Sequence, residues 1–496
     1  MFSNLALTSK NNFMLPYKST NKIWELKNGF THKWLEPDLI LSSLKCFSFS
    51  SLAKSLNSLK QRGYSFEVIF SCLVSLPFLG LNNVHGFTKS TLSRHIEARK
   101  DVFYRLKNNA QVCWRKILWM FALKAIKIGR QKGSAADDAL KCLVFDDSTL
   151  AKTGEYFERI SRVWDHVSNR FILGYKFLLM GYWDGVSFIP LDFSLHREKG
   201  KNKGRPYGLP MRDYKKQFRK KRQKGSYTEI REKETDRSKI DMALKLFTRA
   251  MTHGIKVDYV LMDSWFTCGA FIRAVRKVKK QAVHLIGMYK IPRTLFGFSH
   301  GRYTYSQIRN MLGKAKRCRK LRLYYKETVV DYEGQPLKMF FAKQGKNGKW
   351  KVFITTDRTL SFIRMIEIYQ IRWSIEVFFK ESKQLFGLGK CQSTDFDSQI
   401  ADATITMIQH ILMTLKYRFE QYESKGALFD QVKQDVLELR LNERLWGLFL
   451  ELIKVIETLF DGIDEMEIIE RILNSDEAYK MFNRLFHREI DICNAA

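Results

Sequence analysis

The chain has little of what marks a secreted, membrane-spanning or zinc-binding protein. Its eight cysteines are scattered, and no two lie closer than 26 positions, so no CxxC pair is available for zinc or redox chemistry. The most apolar stretch, residues 68–81, contains Pro77 and is only about 14 residues long, whereas a membrane helix needs ~20. The N-terminus lacks a basic segment followed by an apolar run, so we expect neither secretion nor a membrane partner. Free thiols in a reducing compartment fit this composition.

Two catalytic patterns are missing as well. No G-x4-G-K-[ST] phosphate loop occurs, which argues against an ATP-driven motor. No two histidines have the H-x3-H spacing of a helical zinc site, which disfavours a zinc hydrolase. This holds for the four histidines near the predicted core, namely His166, His196, His253 and His284.

Acidic residues are scarce relative to basic ones. The 496 residues include 85 lysines and arginines against 51 aspartates and glutamates, a net charge of +34. With 45% hydrophobic and 14% aromatic residues, the chain is long enough for about two to four folded domains. A folded chain this basic predicts a polyanionic partner. A ribosome or an anionic membrane would also fit the charge, but short basic tails are usual for those partners, and here the excess is spread along the chain.

The N-terminal and C-terminal regions are predicted to be helical. Within residues 1–135, the segment 66–100 resembles a helix-turn-helix with residues 88–99 as its reading helix, although an ordinary helical bundle fits as well. Residues 396–496 also have a helical pattern, and the segment 451–491 holds 11 acidic and five basic residues. Such an acidic segment could be a solvated bundle, a partner-binding surface or a shield for a basic groove.

The middle of the chain has a different pattern. Between residues 141 and 289, short apolar strands alternate with helices, which predicts a mixed α/β sheet. Residues 290–356 are rich in strands separated by glycine turns, which indicates a β-rich insertion. The segment 197–239, predicted as a loop, carries 17 lysines and arginines against six acidic residues, about a third of the net charge.

The most informative pattern is Y-x2-R-x3-E-x6-K, formed by Tyr369, Arg372, Glu376 and Lys383. Residues 360–385 contain neither glycine nor proline, so we predict one long helix that ends before the glycines at 387 and 389. At roughly 100° per residue, the four side chains would fall within about 60° of one face. Taken alone, a carboxylate among cations on a helix is usually a solvated ion-pair surface.

Two predicted strands are each followed by aspartate. Asp146 and Asp147 follow the apolar run 141–145, and Asp263 follows 257–262. Either aspartate motif alone would fit a turn or a helix cap. Together with Glu376 they give three carboxylates from three elements, which would repel one another without cations between them. Mg²⁺ prefers such oxygen ligands, and two ions ~3.5–4 Å apart could activate a nucleophile and stabilise a leaving oxygen of a phosphodiester.

In these motifs the chain resembles the DDE transposases of the IS4 type. Asp147-Ser148-Thr149 matches the family's first motif, Asp263 the second, and the Y-x2-R-x3-E-x6-K pattern the third. The resemblance covers roughly residues 140–390. Spacing does not separate Asp146 from Asp147. We favour Asp147 because it matches the family's D-S-T, and keep Asp146 as the alternative.

The resemblance implies an α/β fold with an RNase H-like catalytic core interrupted by a β-rich insertion, with helical N-terminal and C-terminal regions. The corresponding divisions are a DNA-binding region at 1–135, core segments at 136–289 and 357–395, the insertion at 290–356, and a region for dimerisation and DNA binding at 396–496.

It also implies roles for individual residues. Asp147, Asp263 and Glu376 would hold two Mg²⁺ ions, for which Mn²⁺ could substitute. Arg372 and Lys383 would contact phosphates at the end of the mobile element, because a guanidinium meets phosphate oxygens bidentately. Tyr369 would donate a hydrogen bond to a phosphate.

Aromatic and basic side chains would complete the DNA contacts. Trp373 follows Arg372, as a tryptophan does in relatives that form a DNA hairpin, where that tryptophan stacks against DNA near a flipped base. The alternative is that Trp373 packs in the core. The same two interpretations apply to Trp265. The basic loop would contact the phosphates of flanking DNA through Arg219, Lys220, Lys221 and Arg222. The alternative is that the loop is disordered and attracts anions without specificity.

The implied activity is cleavage at insertion-sequence ends and joining of the freed 3′-hydroxyl to target DNA, with a hairpin intermediate as one route. The partners would be double-stranded DNA, both terminal inverted repeats and target, and a second copy of the chain in a synaptic homodimer. The implied location is the cytoplasm of a bacterium, in association with the nucleoid. The alternatives are an RNase H-like nuclease and a domesticated, catalytically idle DNA-binding protein.

Overall fold

A computed structural model describes residues 63–78, 83–89, 98–131, 139–278 and 282–419, with a few isolated positions elsewhere. Every helix and strand reported below lies in one compact unit, Ser43–Phe429. Most of the candidate reading helix at 88–99 and nearly all of the acidic segment at 451–491 lie outside the described residues.

Helices precede the sheet. They are α1 (Phe66–Ser75), α2 (Val84–Lys89), α3 (Lys100–Lys107) and α4 (Trp114–Gln131). α1 begins where the Ser65 hydroxyl accepts a hydrogen bond from the Val68 amide, at 3.2 Å. Its buried face places Phe70 against Trp114 and Phe121 of α4, with ring centroids 6.5 and 6.0 Å apart. Aromatic packing therefore fixes α1 on α4.

The strands fall into two groups along the chain. The first group is β1 (Cys142–Ala151), β2 (Ser161–Asp165), β3 (Arg170–Trp183), β4 (Phe188–His196), β5 (Tyr259–Met262) and β6 (His284–Tyr289). The second group is β7 (Leu295–Phe298), β8 (Gly301–Thr304), β9 (Lys316–Cys318), β10 (Leu323–Asp331), β11 (Pro336–Gln344) and β12 (Lys351–Thr355).

Further helices connect and cover the strands. They are α5 (Met211–Lys216), α6 (Tyr227–Glu234), α7 (Lys239–Thr252), α8 (Gly269–Arg276), α9 (Tyr305–Met311), α10 (Phe362–Gln370), α11 (Trp373–Gln384) and α12 (Phe396–Phe419). α4 and α7 pack on β4, α11 packs on β1, and α12 packs on α4. None of the helices in the described part of the chain is both long and apolar enough to cross a membrane.

All twelve strands of the described residues belong to one mixed sheet, so the predicted mixed α/β class is confirmed. β1 pairs antiparallel with β3 on one edge and parallel with β5 on the other, and β5 pairs parallel with β6. β3 in turn pairs with β2 along its first half and with β4 along its second. Each parallel connection contains a helix, as parallel strands require.

The second group of strands extends this same sheet. β12 pairs antiparallel with β6, and β11, β10, β7 and β8 follow in order beyond it. The apolar residues Phe340 and Phe353 face one another in the β11–β12 register and are buried. The strand-rich segment predicted at 290–356 therefore continues the hydrogen-bonded ladder of the first group.

The helix predicted over 360–385 is two helices, α10 and α11, so the single long helix was wrong. Between them Ile371 and Arg372 keep helical dihedral angles, but the hydrogen bonds span three residues instead of four: Arg372 N–H donates to the Tyr369 carbonyl at 3.0 Å. This is a turn of 3₁₀ helix, which is tighter than an α-helix. Neither glycine nor proline marks it in the sequence. Tertiary contacts accompany the break, because Tyr369 contacts Met262 and Arg372 contacts Asp146.

The strand predicted to stop before Asp146 is also longer than expected. β1 runs through Asp146, Asp147, Ser148 and Thr149 to Ala151, and it stays paired with β3 over its whole length. Turns favour Asp and Ser, so the sequence alone allows a turn at this polar run. The backbone pairing with β3 overrides that preference.

Candidate active site

The acidic residues meet where two parallel strands part. The pairing of β1 with β5 ends at the register position Phe145–Met262, so the residues that follow it are Asp146, which is still on β1, and Asp263, which begins the turn after β5. Beyond Phe145, no described strand pairs with this edge of β1. Successive residues of a strand point to opposite faces, so Asp146 and Asp147 have different surroundings.

Arg372 links Asp146 to Glu376. One guanidinium nitrogen, Nη1, lies 3.1 Å from Asp146 Oδ2, and the other, Nη2, lies 2.5 Å from Glu376 Oε1. Side-chain exposure is 17% for Arg372 and Asp146 and 33% for Glu376, so the cluster is open to solvent on one side. The last turn before α11 thus places a cation between carboxylates from β1 and α11.

Asp263 lies in the turn after β5. Its Oδ1 accepts hydrogen bonds from the amides of Trp265 at 2.9 Å and Phe266 at 3.2 Å, which fixes the carboxylate through its own backbone. Burial raises the pKa of Asp263, and the charge of Asp147 adds to the rise. The turn therefore holds a carboxylate whose charged form is disfavoured.

Asp146 is the most perturbed acid of the site. Burial and then the nearby charge of Asp263 raise its pKa to about 7, against the opposing effect of Arg372. The register of β1 on β5 places the two residues next to each other at the end of the pairing, and this placement accounts for the repulsion between their carboxylates. A site that raises the pKa of an acid in this way favours added positive charge.

Asp147 is engaged by two lysines. Its Oδ2 lies 2.9 Å from the ammonium of Lys239, at the start of α7, and 3.9 Å from that of Lys176 on β3. The structure therefore brings Asp146, and not Asp147, into contact with Arg372 and through it with Glu376. Sequence reasoning missed both lysines; Lys176 could have been noticed as a lone cation inside the apolar run of β3.

Two predicted phosphate contacts are engaged within the protein. The Tyr369 hydroxyl donates a hydrogen bond to the Met262 carbonyl at 3.1 Å, at the end of β5. The Lys383 ammonium donates to Ser148 Oγ at 2.7 Å and to the Thr149 carbonyl at 3.2 Å. Both residues thus tie the α10–α11 segment to the strands that carry the aspartates.

Two tryptophans flank the site on the surface. Trp373 is 62% exposed and Trp265 is 58% exposed, so neither packs in the core. The Lys239 ammonium lies 4.7 Å from the centroid of the Trp265 ring, a cation–π contact. Exposed tryptophans beside an acidic cluster offer flat surfaces for stacking.

The basic run from Arg219 to Arg222 is divided between two roles. Arg222 is buried and pairs with Glu158 at 2.6 Å and Asp397 at 2.9 Å, while Lys220 pairs with Asp395 at 2.9 Å and Asp397 at 2.8 Å. These carboxylates occupy both cations, so the prediction that Lys220 and Arg222 contact DNA does not fit the structure.

The other two members of the run, Arg219 and Lys221, are exposed. The surrounding segment contains α5 and α6 and is anchored by the buried ion pairs, which contradicts the disordered alternative for residues 197–239.

The donor types suit a hard divalent cation, because the cluster supplies carboxylate oxygens only. Two of these oxygens, Asp263 Oδ2 and Glu376 Oε2, accept no hydrogen bond from any described residue. Yet among the residues that the structure describes, no three acidic, histidine or cysteine side chains are arranged to hold a metal ion. In this arrangement the guanidinium of Arg372 lies between two of the candidate ligands.

The mixed α/β sheet and its carboxylates fit a DDE nuclease-like protein, and comparison with protein families narrows this class. Residues 198–412 match a family model described as a transposase DDE domain, and residues 91–288 match one described as a DDE superfamily endonuclease. The first match contains Asp263 and Glu376, and the second contains Asp146 and Asp263. A search of curated proteins found no match. The family matches support a DDE transposase, an enzyme that acts on DNA, and nucleases of this superfamily generally use divalent metal ions.

Proposed function

We propose that this protein is an IS4-type DNA transposase that cleaves at the ends of an insertion sequence and joins the freed 3′-hydroxyl to target DNA. The observation that carries this proposal is the meeting of Asp146, Asp263 and the Arg372–Glu376 pair at the point where β1 and β5 diverge. The proposal rests also on the match of Tyr369, Arg372, Glu376 and Lys383 to the family signature.

Asp146, Asp263 and Glu376 would hold the divalent ions, for which Mg²⁺ is the natural choice and Mn²⁺ a substitute. Asp146 replaces Asp147 as the favoured first ligand because it shares Arg372 with Glu376, whereas Asp147 is paired with Lys239. Two such ions, when bound, would activate a water or 3′-hydroxyl and stabilise the leaving oxygen.

The remaining residues of the site would position the carboxylates and the DNA. Lys383 and Tyr369 hold α10 and α11 against β1 and β5, which keeps Glu376 beside the aspartates. Trp373, and with it Trp265, would stack on DNA bases next to the scissile phosphate, as a hairpin route requires. Arg219 and Lys221 would contact the backbone of flanking DNA.

The two groups of strands and the flanking helical regions would have different roles in the transposase. The strands β4-β3-β1-β5-β6 would form the RNase H-like core, because they carry both aspartates, and β7–β12 would be its insertion. The helical regions on either side would serve DNA binding and dimerisation in a synaptic complex of two copies. The nucleoid of a bacterium would be the site of action.

The test is cleavage of a duplex that carries the element's terminal inverted repeat, in the presence of Mg²⁺. Asp146→Asn, Asp263→Asn and Glu376→Gln should each abolish cleavage, because each removes one charged ligand. Asp147→Asn is the matched neighbour, and we expect it to retain much more activity than Asp146→Asn. The opposite order would reassign the first ligand to Asp147.

The same assay separates the alternatives. A transposase joins the freed 3′-end to a second duplex, whereas an RNase H-like nuclease yields cleavage products alone. An idle DNA-binding protein would bind the repeat and yield neither product.

A further inference from the structure

The guanidinium of Arg372 lies between the carboxylates of Asp146 and Glu376 and contacts both. It is the only described cation within ion-pair distance of either Asp146 or Glu376. Asp146 Oδ1 accepts the amide of Asp147, so Arg372 holds the remaining oxygen, Oδ2. As long as this bridge persists, neither Asp146 nor Glu376 can offer its full set of oxygens to another cation.

The bridge that Arg372 forms between Asp146 and Glu376 can be broken without unfolding a helix. Arg372 lies in the 3₁₀ turn between α10 and α11, and 17% of its side chain is exposed. Its side chain and that of Glu376 are partly exposed, so water can replace the lost contacts. A guanidinium binds phosphate oxygens with the same bidentate geometry as carboxylate oxygens. Arg372 therefore has a second class of partner that DNA would bring to the site.

We propose that Arg372 exchanges partners: it holds Asp146 and Glu376 together while DNA is absent, and it transfers to a DNA phosphate when DNA binds, which frees both carboxylates for divalent cations. This inference rests on the proposed function. It makes Arg372 a positioning residue that couples the arrival of DNA to the loading of the acidic site. Such coupling is reciprocal, so divalent cations should also strengthen the binding of DNA.

The experiment measures Mn²⁺ binding to the full chain without DNA, by the loss of the free-ion signal in electron paramagnetic resonance. We expect Arg372→Ala to bind Mn²⁺ more tightly than the wild type, by a factor within the range of about 5–150 that is usual for linked sites. Adding a terminal-repeat duplex should tighten Mn²⁺ binding by the wild type and change that of the variant much less.

A matched control removes the same charge elsewhere. Arg364→Ala, on the exposed side of α10, breaks an ion pair with Glu367 and leaves the acidic cluster untouched. We expect wild-type Mn²⁺ affinity for this variant, which excludes a mere effect of net charge. Arg372→Lys keeps the charge but loses the planar fork, so its Mn²⁺ affinity should lie between those of the wild type and Arg372→Ala.

The possible failures are distinguishable. If Arg372→Ala binds Mn²⁺ no more tightly than the wild type, the partner exchange is wrong and the proposed function stands. If no form of the protein binds Mn²⁺, with or without DNA, the metal-dependent function itself is wrong. Should Arg372→Ala not fold, as judged by its thermal unfolding, Arg372→Gln provides the same comparison with a side chain closer in size.

Discussion

Two arginines in this chain each lie between carboxylates, in very different surroundings. Arg222 has a side-chain exposure of 1%, and its partners Glu158 and Asp397 are as deeply buried. Arg372 is 17% exposed, and its partner Glu376 is 33% exposed. The ion-pair distances are alike, at 2.6–2.9 Å for Arg222 and 2.5–3.1 Å for Arg372. Distance therefore does not separate the two clusters, and access to water does.

The difference in burial gives the clusters different uses. The Arg222 cluster ties the basic segment to the start of α12, and its side chains are almost entirely shielded from water. Charges buried in this way are costly to leave unpaired. The Arg372 cluster can exchange its partners with water or ligands at much lower cost. The first cluster is suited to holding the fold and the second to binding.

The largest loss of stability is expected when the buried Arg222 cluster is broken. Arg222→Met leaves Glu158 and Asp397 as buried charges without this partner, and we expect it to lower the free energy of unfolding by about 3–5 kcal/mol. Arg372→Met should lower it by no more than about 1 kcal/mol, because Glu376 is 33% exposed and Asp146, whose pKa is raised to about 7, can take up a proton when the guanidinium is lost. Urea denaturation of both variants measures the two losses. Equal losses would show that burial does not distinguish the clusters.

A second prediction concerns the pH dependence of stability. The pKa of Asp146 is raised to about 7, so the folded state binds a proton more tightly than the unfolded chain. Stability from this group is present at low pH and is lost as pH rises towards 7. Relative to the wild type, Asp146→Asn should therefore gain stability between pH 4 and pH 7, on the order of 1–3 kcal/mol. Denaturation at a series of pH values measures this, and a constant difference between the proteins would contradict it.

A third prediction divides the basic run. Replacing Arg219 and Lys221 together by alanine should leave stability unchanged and reduce the slope of log affinity against log salt by about 2, because each phosphate contact contributes roughly 0.9. Fluorescence anisotropy with labelled duplex DNA at several salt concentrations measures the slope. The paired control, Lys220→Ala, should instead lower stability, since that ammonium contacts Asp395 and Asp397. If the double variant keeps the wild-type slope, the exposed pair does not contact phosphates.

The sequence was most informative where a pattern depends on local spacing. The mixed α/β class and the segments rich in strands follow from apolar runs and turn residues. The signature around Glu376 pointed to Arg372 and its carboxylate because residues four apart on a helix are neighbours. These features require no knowledge of distant parts of the chain.

The features that escaped sequence reasoning depend on contacts between distant residues. Choosing between Asp146 and Asp147 requires the register of β1 on β5 and the direction of Lys239, 92 positions further along the chain. The anchoring of Arg222 requires Asp397, 175 positions away. The break between α10 and α11 has no glycine or proline to mark it. From composition alone, an arginine such as Arg222 is expected to be exposed, and only the tertiary structure shows that its side chain is buried.

The smallest loss of stability is expected for an exposed ion pair, which serves as the reference for the Arg222 and Arg372 clusters. Arg105 and Asp101 form an ion pair at 2.6 Å on α3, as short as the Arg222–Glu158 contact, with side-chain exposures of 75% and 57%. Because solvent screens this pair, Arg105→Met should change the free energy of unfolding by no more than about 0.5 kcal/mol. Urea denaturation beside Arg222→Met makes the measurement. A loss comparable to that of Arg222→Met would mean that contact distance, and not burial, sets the energetic value of ion pairs in this protein.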